Sequence, residues 1–314
     1  MLFRSRSGIA LDAPGPKGTT PLIEAVRNGR ADAVRALIDL RASPTAPARD
    51  GRSPAWYAVG GPHPEILSAL KPPAAELNRS GLLLEASEHH NLGAIRALLA
   101  AGADVNVRHN DVTPLLVAAE RGWLDEIALL LDAHADPNVL DRDGRTPLMR
   151  LTLLAPRNFE EFVRKLSFAK ADIDLHGDSE PTALMYAAQS GRAENVETLI
   201  VAGAKVDART SSGRTPLHFA VRPGHRDAPR ALEALLRARP DLNAKDDAGR
   251  TPLMEAVQHH NVNAVRRLLL AGANPALRDL RGFSAADVAQ EAGTPPSIAD
   301  MLRSNPTGIN NQRR

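Results

Sequence analysis

Apolar positions in this chain form short stripes with helical spacing, two to a unit, and polar turn residues separate the units. The clearest unit runs from Asp246 to Arg278. Leu253, Ala256 and Val257 make a first stripe at i, i+3, i+4 spacing, and Val265, Leu268 and Leu269 make a second. Asp247-Ala248-Gly249-Arg250, ahead of the first stripe, is a turn sequence whose glycine supplies positive φ without steric cost. Thr251 is placed to cap the helix with its hydroxyl, and Pro252 takes the first helical position, where its missing N–H is not needed. Gly272 ends the second helix in the left-handed conformation. The predicted unit is helix, turn, helix. Neither helix is long enough to be stable alone in water, so each must be packed by the next unit.

The opening string returns along the chain. Thr20-Pro21-Leu22, Thr113-Pro114-Leu115, Thr146-Pro147-Leu148, Thr215-Pro216-Leu217 and Thr251-Pro252-Leu253 are clear copies, and Ser53, Gly81, Thr182 and Ser284 open weaker ones. Successive starts differ by 33, 28, 32, 33, 36, 33, 36 and 33 residues. Such a period predicts stacked repeats that bury their apolar faces on neighbours, with no single central core. The repeats tile residues 18–303, leaving 1–17 as a flexible lead and 304–314 as a flexible tail. Polar Asp287, Gln290 and Glu291 in the last first-helix suit a terminal capping repeat.

Departures from the pattern carry expectations of their own. Gly81-Leu82-Leu83 lacks both cap and Pro, and Ala183 replaces Pro after Thr182. Arg41, His134, Lys170 and Arg239 stand where a helix-ending Gly is expected. A non-Gly residue there costs about 1–2 kcal/mol, so those junctions should be looser or built differently. The second unit is the least regular, with Gly60-Gly61-Pro62-His63-Pro64 between its helices and Lys71-Pro72-Pro73 after them. Extra residues are expected in the Ala155-Pro156-Arg157-Asn158 turn of the fifth unit and around residues 223–229 of the seventh.

The composition, 43% hydrophobic but only 3% aromatic, suits thin interfaces between closely packed Ala- and Leu-bearing helices. The absence of cysteine excludes disulfides, Cys-ligated metals and Cys nucleophiles. The first twenty residues hold no apolar stretch of signal-peptide length, and no stretch is long enough to span a membrane. The cytoplasm is the expected compartment, with delivery into a host cell by a signal-independent route as the alternative. A formal charge of +2 gives no argument for nucleic acid, although 33 of the 39 basic residues are Arg.

Thr215-Pro216-Leu217-His218-Phe219-Ala220 resembles the signature of the ankyrin repeat family residue for residue. Gly102-Ala103-Asp104-Val105-Asn106, Gly203-Ala204-Lys205-Val206-Asp207 and Gly272-Ala273-Asn274-Pro275 resemble its repeat-closing string. The resemblance covers most of the chain. It implies an all-α ankyrin-repeat solenoid of about nine helix-turn-helix repeats with projecting hairpin loops. It also implies non-enzymatic recognition of a protein partner through the concave helix face and the loops.

No GxxxxGK[ST], HExxH or GxSxG motif is present, and no catalytic, metal or cofactor site is expected. The pairs His89-His90 and His259-His260 read as solvated turn residues, with His90 and His260 replacing the usual Gly. The residue before the capping hydroxyl is Arg in four repeats: Arg52, Arg145, Arg214 and Arg250. By the resemblance this position sits at the base of the loop, facing the groove, and Arg27, Arg121 and Arg222 at first-helix ends add to the same face. Such arginines suit an acidic protein partner through bidentate capture of carboxylates. Because they project from turns, they are expected to support no core. The competing reading has Asp50, Asp143 and Asp247 neutralise them locally.

Trp56 takes the place of the signature His and is either an interface anchor or a packing residue. Phe159 and Phe162 read as core, and Tyr186 and Phe219 fall on the buried side of their helices. Three functions compete: a monomeric cytoplasmic scaffold or adaptor, a bacterial effector binding a host protein, and, with less support, nucleic-acid binding through the arginines.

Overall fold

Every one of the nine predicted cap positions immediately precedes a helix. The computed structural model describes residues 11–79, 81–178, 180–222 and 228–304, and these fall in two compact units, Met1–Val139 and Leu140–Arg314. In the first unit the helices that follow the caps are α1 (Pro21–Arg27), α3 (Pro54–Val59), α6 (Leu82–Glu88) and α8 (Pro114–Arg121). Their partners are α2 (Ala31–Asp39), α4 (Pro64–Leu70), α7 (Leu92–Ala100) and α9 (Leu124–Asp132), with an additional α5 (Ala74–Arg79). The second unit has α10 (Pro147–Leu154), α12 (Ala183–Gln189), α14 (Pro216–Ala220), α16 (Pro252–Gln258) and α18 (Ala285–Glu291) as first helices. Their partners are α11 (Phe159–Phe168), α13 (Ala193–Val201), α15 (Ala228–Arg237), α17 (Val262–Ala271) and α19 (Pro296–Ser304).

The caps are made as their chemistry predicts. The hydroxyls of Thr20, Ser53, Thr113, Thr146, Thr182, Thr251 and Ser284 each accept from the backbone N–H three residues on. Gly81 has no such hydroxyl and starts α6 from φ +66° instead. The third helical residue often answers in return. Met149 and Met185 accept the N–H of their capping Thr on sulfur, at 3.3 and 3.4 Å. His218 accepts the Thr215 N–H on Nδ1 at 3.1 Å.

Within each unit the first helices stack on one another in chain order: α1, α3, α6, α8 in one, and α10, α12, α14, α16, α18 in the other. The predicted stripes point into these contacts. Leu253, Ala256, Val257, Val265, Leu268 and Leu269 are all buried, as are Phe159 and Phe162. Each buried Leu, Val or Phe contributes about 1.5–3 kcal/mol.

A second device registers the repeats. The closing strings form a ladder in which one repeat's Asn or Asp side chain accepts a backbone N–H of the next. Asn106 accepts from Asp136 at 2.8 Å, Asp174 from Lys205 at 3.0 Å, Asp207 from Asp241 at 2.9 Å, and Asn243 from Asn274 at 2.9 Å.

One expectation is revised. Arg41, His134, Lys170 and Arg239 do adopt positive φ, at 74°, 65°, 68° and 57°. The first three junctions, however, are built like the glycine ones. Ala42, Ala135 and Ala171 donate to Leu37, Leu130 and Leu166, each at 2.9 Å, as Ala103 does to Leu98 across Gly102 at 3.0 Å. The strain is carried without a change of motif. The stretch after Lys71-Pro72-Pro73 holds a helix for which the repeat pattern has no counterpart. It forms α5, which buries Leu77 against the first unit and presents Asn78 to accept the Asp104 N–H at 2.9 Å. This short helix supplies the ladder contact that a closing string supplies elsewhere.

The extra residues of the fifth repeat lie where expected, between α10 and α11, with Ala155 at φ +49°. The insertion expected at 223–229 lies outside the described residues up to 227, as do 1–10 of the predicted lead and 305–314 of the tail. Within the rest of the lead, Leu11 is buried and Asp12 accepts the Ser43 N–H at 2.8 Å.

Candidate functional site

In the second unit, three of the singled-out arginines converge on one carboxylate. Glu255, in the first turn of α16, is only 5% exposed at its side chain. Arg214 reaches its Oε1 at 2.6 Å, Arg222 at 3.1 Å, and Arg250 lies 3.6 Å from Oε2. His259 Nε2 stands 3.3 Å from Oε1. Burial pushes the Glu255 carboxyl up, but the charges of Arg214, Arg250 and Arg222 outweigh it and hold the group below its ordinary range. Arg250 also bonds Gln258. Together these side chains line a surface depression of about 280 Å³.

Arg145 sits in a second cluster of that unit. It lies 3.5 Å from Asp143, 3.4 Å from Glu180 and 6.0 Å above the Tyr186 ring. Tyr186 is half-buried, donates its hydroxyl to Glu180, and has its pKa pushed up to about 12, chiefly by burial.

In the first unit the pattern is aromatic. The Arg52 guanidinium lies 3.7 Å over the Trp56 ring and 3.8 Å from Asp50. Trp56 meets Tyr57 edge-on at 5.3 Å, Tyr57 donates to Asp50 at 2.7 Å, and Arg27 stands 5.8 Å over Tyr57. Trp56 is half-buried, and Arg121 at the end of α8 is exposed.

The local-neutralisation reading therefore holds for Arg52 and Arg145, whose own-loop partners are Asp50 and Asp143. For Arg214 and Arg250 the counter-charge is Glu255, not Asp247. The expectation that these arginines support no core is corrected for that pair. Their side chains are 18% and 21% exposed, and their Nε atoms are buried without a hydrogen-bond partner. Arg214 reaches the Glu255 carboxylate of the following repeat and so wedges between repeats, while Arg250 lies on the same carboxylate within its own repeat.

Family models for ankyrin repeats match residues 83–154 and 151–232 in a three-copy form and residues 17–49 and 248–280 singly. The chain belongs to the ankyrin repeat family. It is 33% identical to cyclin-dependent kinase 4 inhibitor B of Mus musculus, over 38% of this chain and 90% of that one. It is 34% identical to palmitoyltransferase AKR1 of Lachancea kluyveri over 48% of this chain, a match that spans only 21% of that enzyme's length. The crystal structure of the ankyrin repeat domain of Bcl-3 superposes with a TM-score of 0.57 at 22% identity, covering 91% of this chain and 99% of that one, and supports the fold.

The signature His of this ankyrin chain has a defined tautomer. His218 accepts from the Thr215 N–H on Nδ1, so Nε2 carries the proton and donates to the Arg250 carbonyl at 3.0 Å. Burial, the largest influence, holds its pKa below the ordinary 6.5.

One charged cluster escaped the sequence reading. His90 is not a solvated turn residue: it stacks on Trp123 at 4.4 Å and bonds Glu126 at 2.8 Å, with Asp125 at 3.6 Å. Glu126 is fully buried, and that burial raises its pKa. Its position at the start of α9, one repeat beyond a positive-φ His90, was the available signal. Among the described residues, no group of His, Asp and Glu is arranged to hold a metal ion, and no helix is long and apolar enough to cross a membrane.

Proposed function

We propose that this chain is a non-enzymatic protein-recognition module. In each unit the binding surface is the side carrying the loop arginines and the first-helix ends, with Arg52, Trp56 and Arg121 as candidate contacts in the first and Arg145, Arg214, Arg222 and Arg250 in the second. The observation that carries the reading is the recurrence of one chemistry on equivalent positions. Arg52, Arg145 and Arg214 each precede a capping hydroxyl and each lie against an aromatic ring, at 3.7, 6.0 and 5.0 Å; Trp56 and Tyr186 keep part of the ring at the surface, while Phe219 is buried. Arginine and aromatic residues with an accessible face are the groups that most often anchor protein interfaces.

Family membership supports recognition over catalysis. The kinase inhibitor, matched over 90% of its length, is by its name a protein that acts on another protein. The 21% of the palmitoyltransferase that is matched gives no ground for carrying over its activity. We place residues 18–303 in one repeat domain, acting as a monomer in the cytoplasm, a reducing compartment that suits a chain without cysteine.

The test is affinity capture from native lysate with the full chain, repeated with the triple variant Arg52→Ser, Trp56→Ala, Arg222→Ser after circular dichroism has verified its helical content. A protein held by the parent and lost by the variant supports the reading. Undiminished capture moves the binding face elsewhere, and recovery of nucleic acid that salt releases steeply would favour the nucleic-acid alternative.

A further inference from the structure

If the loop-and-first-helix face is the binding surface proposed above, the depression around Glu255 sets what it recognises. Arg214, Arg222 and Arg250 share a single carboxylate there. Each guanidinium offers five N–H donors in a rigid fork, far more than two carboxylate oxygens can engage. Asp246 also lines the depression, but its Oδ1 is taken up by the backbone N–H groups of Ala248 and Arg250, at 3.0 and 2.8 Å. The wall thus carries three arginines against two acids. Its volume of about 280 Å³ equals on the order of nine waters at ~30 Å³ each. That accepts a side chain and excludes a folded element.

A second depression of about 610 Å³ shares Ala248, Arg250 and Gln258 with the first. Leu280, Val288 and Ala292 form its far side, and Leu280 is 79% exposed. Arg281 in the same wall is already held by Asp279 at 3.3 Å and Glu291 at 3.1 Å. The first depression is therefore cationic, and the second is apolar with its charges paired.

We propose that these adjoining depressions receive a peptide segment of a protein partner. An acidic side chain enters between Arg214, Arg222 and Arg250, and an apolar side chain beside it covers Leu280. The planar forks match a carboxylate bidentately. Glu255 holds them in position before the ligand arrives, which lowers the ordering cost of binding. A nucleic-acid backbone could use the arginines but not the apolar half, and this favours a peptide.

The experiment presents the full chain with immobilised octapeptides that carry one Glu and one Leu at varied spacing in a Gly/Ser background. Companion peptides replace Glu by Gln, Glu by phosphoserine, or Leu by Ser, and a labelled single-stranded DNA is titrated in parallel. Binding is expected to require both Glu and Leu. Arg222→Ala should weaken it about tenfold, the loss of one charge-assisted contact. Leu280→Ser should weaken it as well, and since Leu280 is exposed that variant tests the site without disturbing the fold.

Equal binding of the Gln and Glu peptides overturns the proposal, as does preference for phosphoserine or DNA, or unchanged binding by both variants. If lysate capture depends on Arg52, Trp56 and Arg222 while no Glu/Leu peptide binds, the surface reading stands and the carboxylate site falls. If capture fails as well, both fall.

Discussion

Arg52 and Arg250 occupy the same place in their repeats, one residue before the capping hydroxyl, and the two surroundings could hardly differ more. Arg52 is 52% exposed, lies flat on Trp56, and has Asp50 of its own loop as its counter-charge. Arg250 is 21% exposed and points at a carboxylate on the helix that follows, which two further arginines also approach. The backbone is the same in both: a loop, an extended cap at φ −80° or −94°, then Pro at the first helical turn. What differs is the pair of residues three and four beyond the cap, Trp56 and Tyr57 in one repeat and Met254 and Glu255 in the other. A repeat scaffold fixes where a side chain begins, and the occupants of the neighbouring helix positions decide whether it becomes a surface group or is drawn in against a buried carboxylate.

The sharpest way to break this comparison is to remove the carboxylate from each side. Glu255→Ala leaves Arg214, Arg222 and Arg250 facing one another in a partly buried setting. Breaking a fully buried pair costs about 3–5 kcal/mol; discounting for the exposure of the arginines, about 2 kcal/mol is expected here. Added salt should recover part of the loss by screening the guanidinium repulsion. Asp50→Ala should leave the urea midpoint unchanged. Equal shifts for the two variants would show that Glu255 is no hub.

Acidification should separate the two units next, with opposite signs. His218 in the second unit has a folded pKa held below 6.5 by burial. Its contribution is present above 6.5 and is lost as pH falls through the lowered folded value. Glu126 in the first unit has its pKa raised above 4.5 by burial. Its contribution is full below 4.5 and is lost as pH rises through the raised value. The hydrogen-exchange protection factor, taken relative to the intrinsic rate at each pH, should therefore fall near α14 on acidification and rise near α9. Parallel changes at both sites would contradict this assignment. Trp56, which replaces the signature His in the second repeat, should give its helix no such response.

The caps show why the repeat register was legible in the sequence. Thr-Pro-Leu specifies a helix start by local chemistry alone, so Thr20 through Ser284 could be placed without tertiary knowledge. The closing Asn and Asp were equally visible, although their ladder role needed the neighbouring repeat. Glu255 was not legible as a hub, because its partner Arg214 is 41 residues away and only the stacking distance makes them meet. His90 failed for the same reason, its partner Glu126 lying 36 residues on. Helix α5 has no counterpart in the repeat pattern, and Pro73 starts it: its carbonyl accepts from Glu76 and Leu77.

A smaller effect tests the caps. Thr251 is buried and its hydroxyl accepts the Met254 N–H at 3.4 Å. Thr251→Ala should cost about 1 kcal/mol, measured by urea unfolding. Gly81→Ala probes the contrasting start, where no hydroxyl is lost but φ is +66°. Its cost should come from backbone strain of about 1–2 kcal/mol together with a new Cβ 3.2 Å from the His109 ring, and a neutral result would mean that α6 can begin from an ordinary conformation with His109 moved aside.

The smallest expected change lies at Arg52 itself. Stacked on Trp56 at the surface, its guanidinium contributes about 0.5–1 kcal/mol at most, and the Asp50 contact at 3.8 Å adds little because both groups face solvent. Arg52→Ala should therefore barely move the unfolding midpoint. It should still change the fluorescence of Trp56 by uncovering one face of the indole. Trp123, the other tryptophan of the chain, is stacked on His90 and reports a different site, so Trp123→Phe isolates the Trp56 signal. A fluorescence change without a stability change would establish Arg52 and Trp56 as a surface pair whose aromatic face can be given to a partner. A stability loss as large as that of Glu255→Ala would erase the distinction between the two arginines and make Arg52 a structural wedge as well.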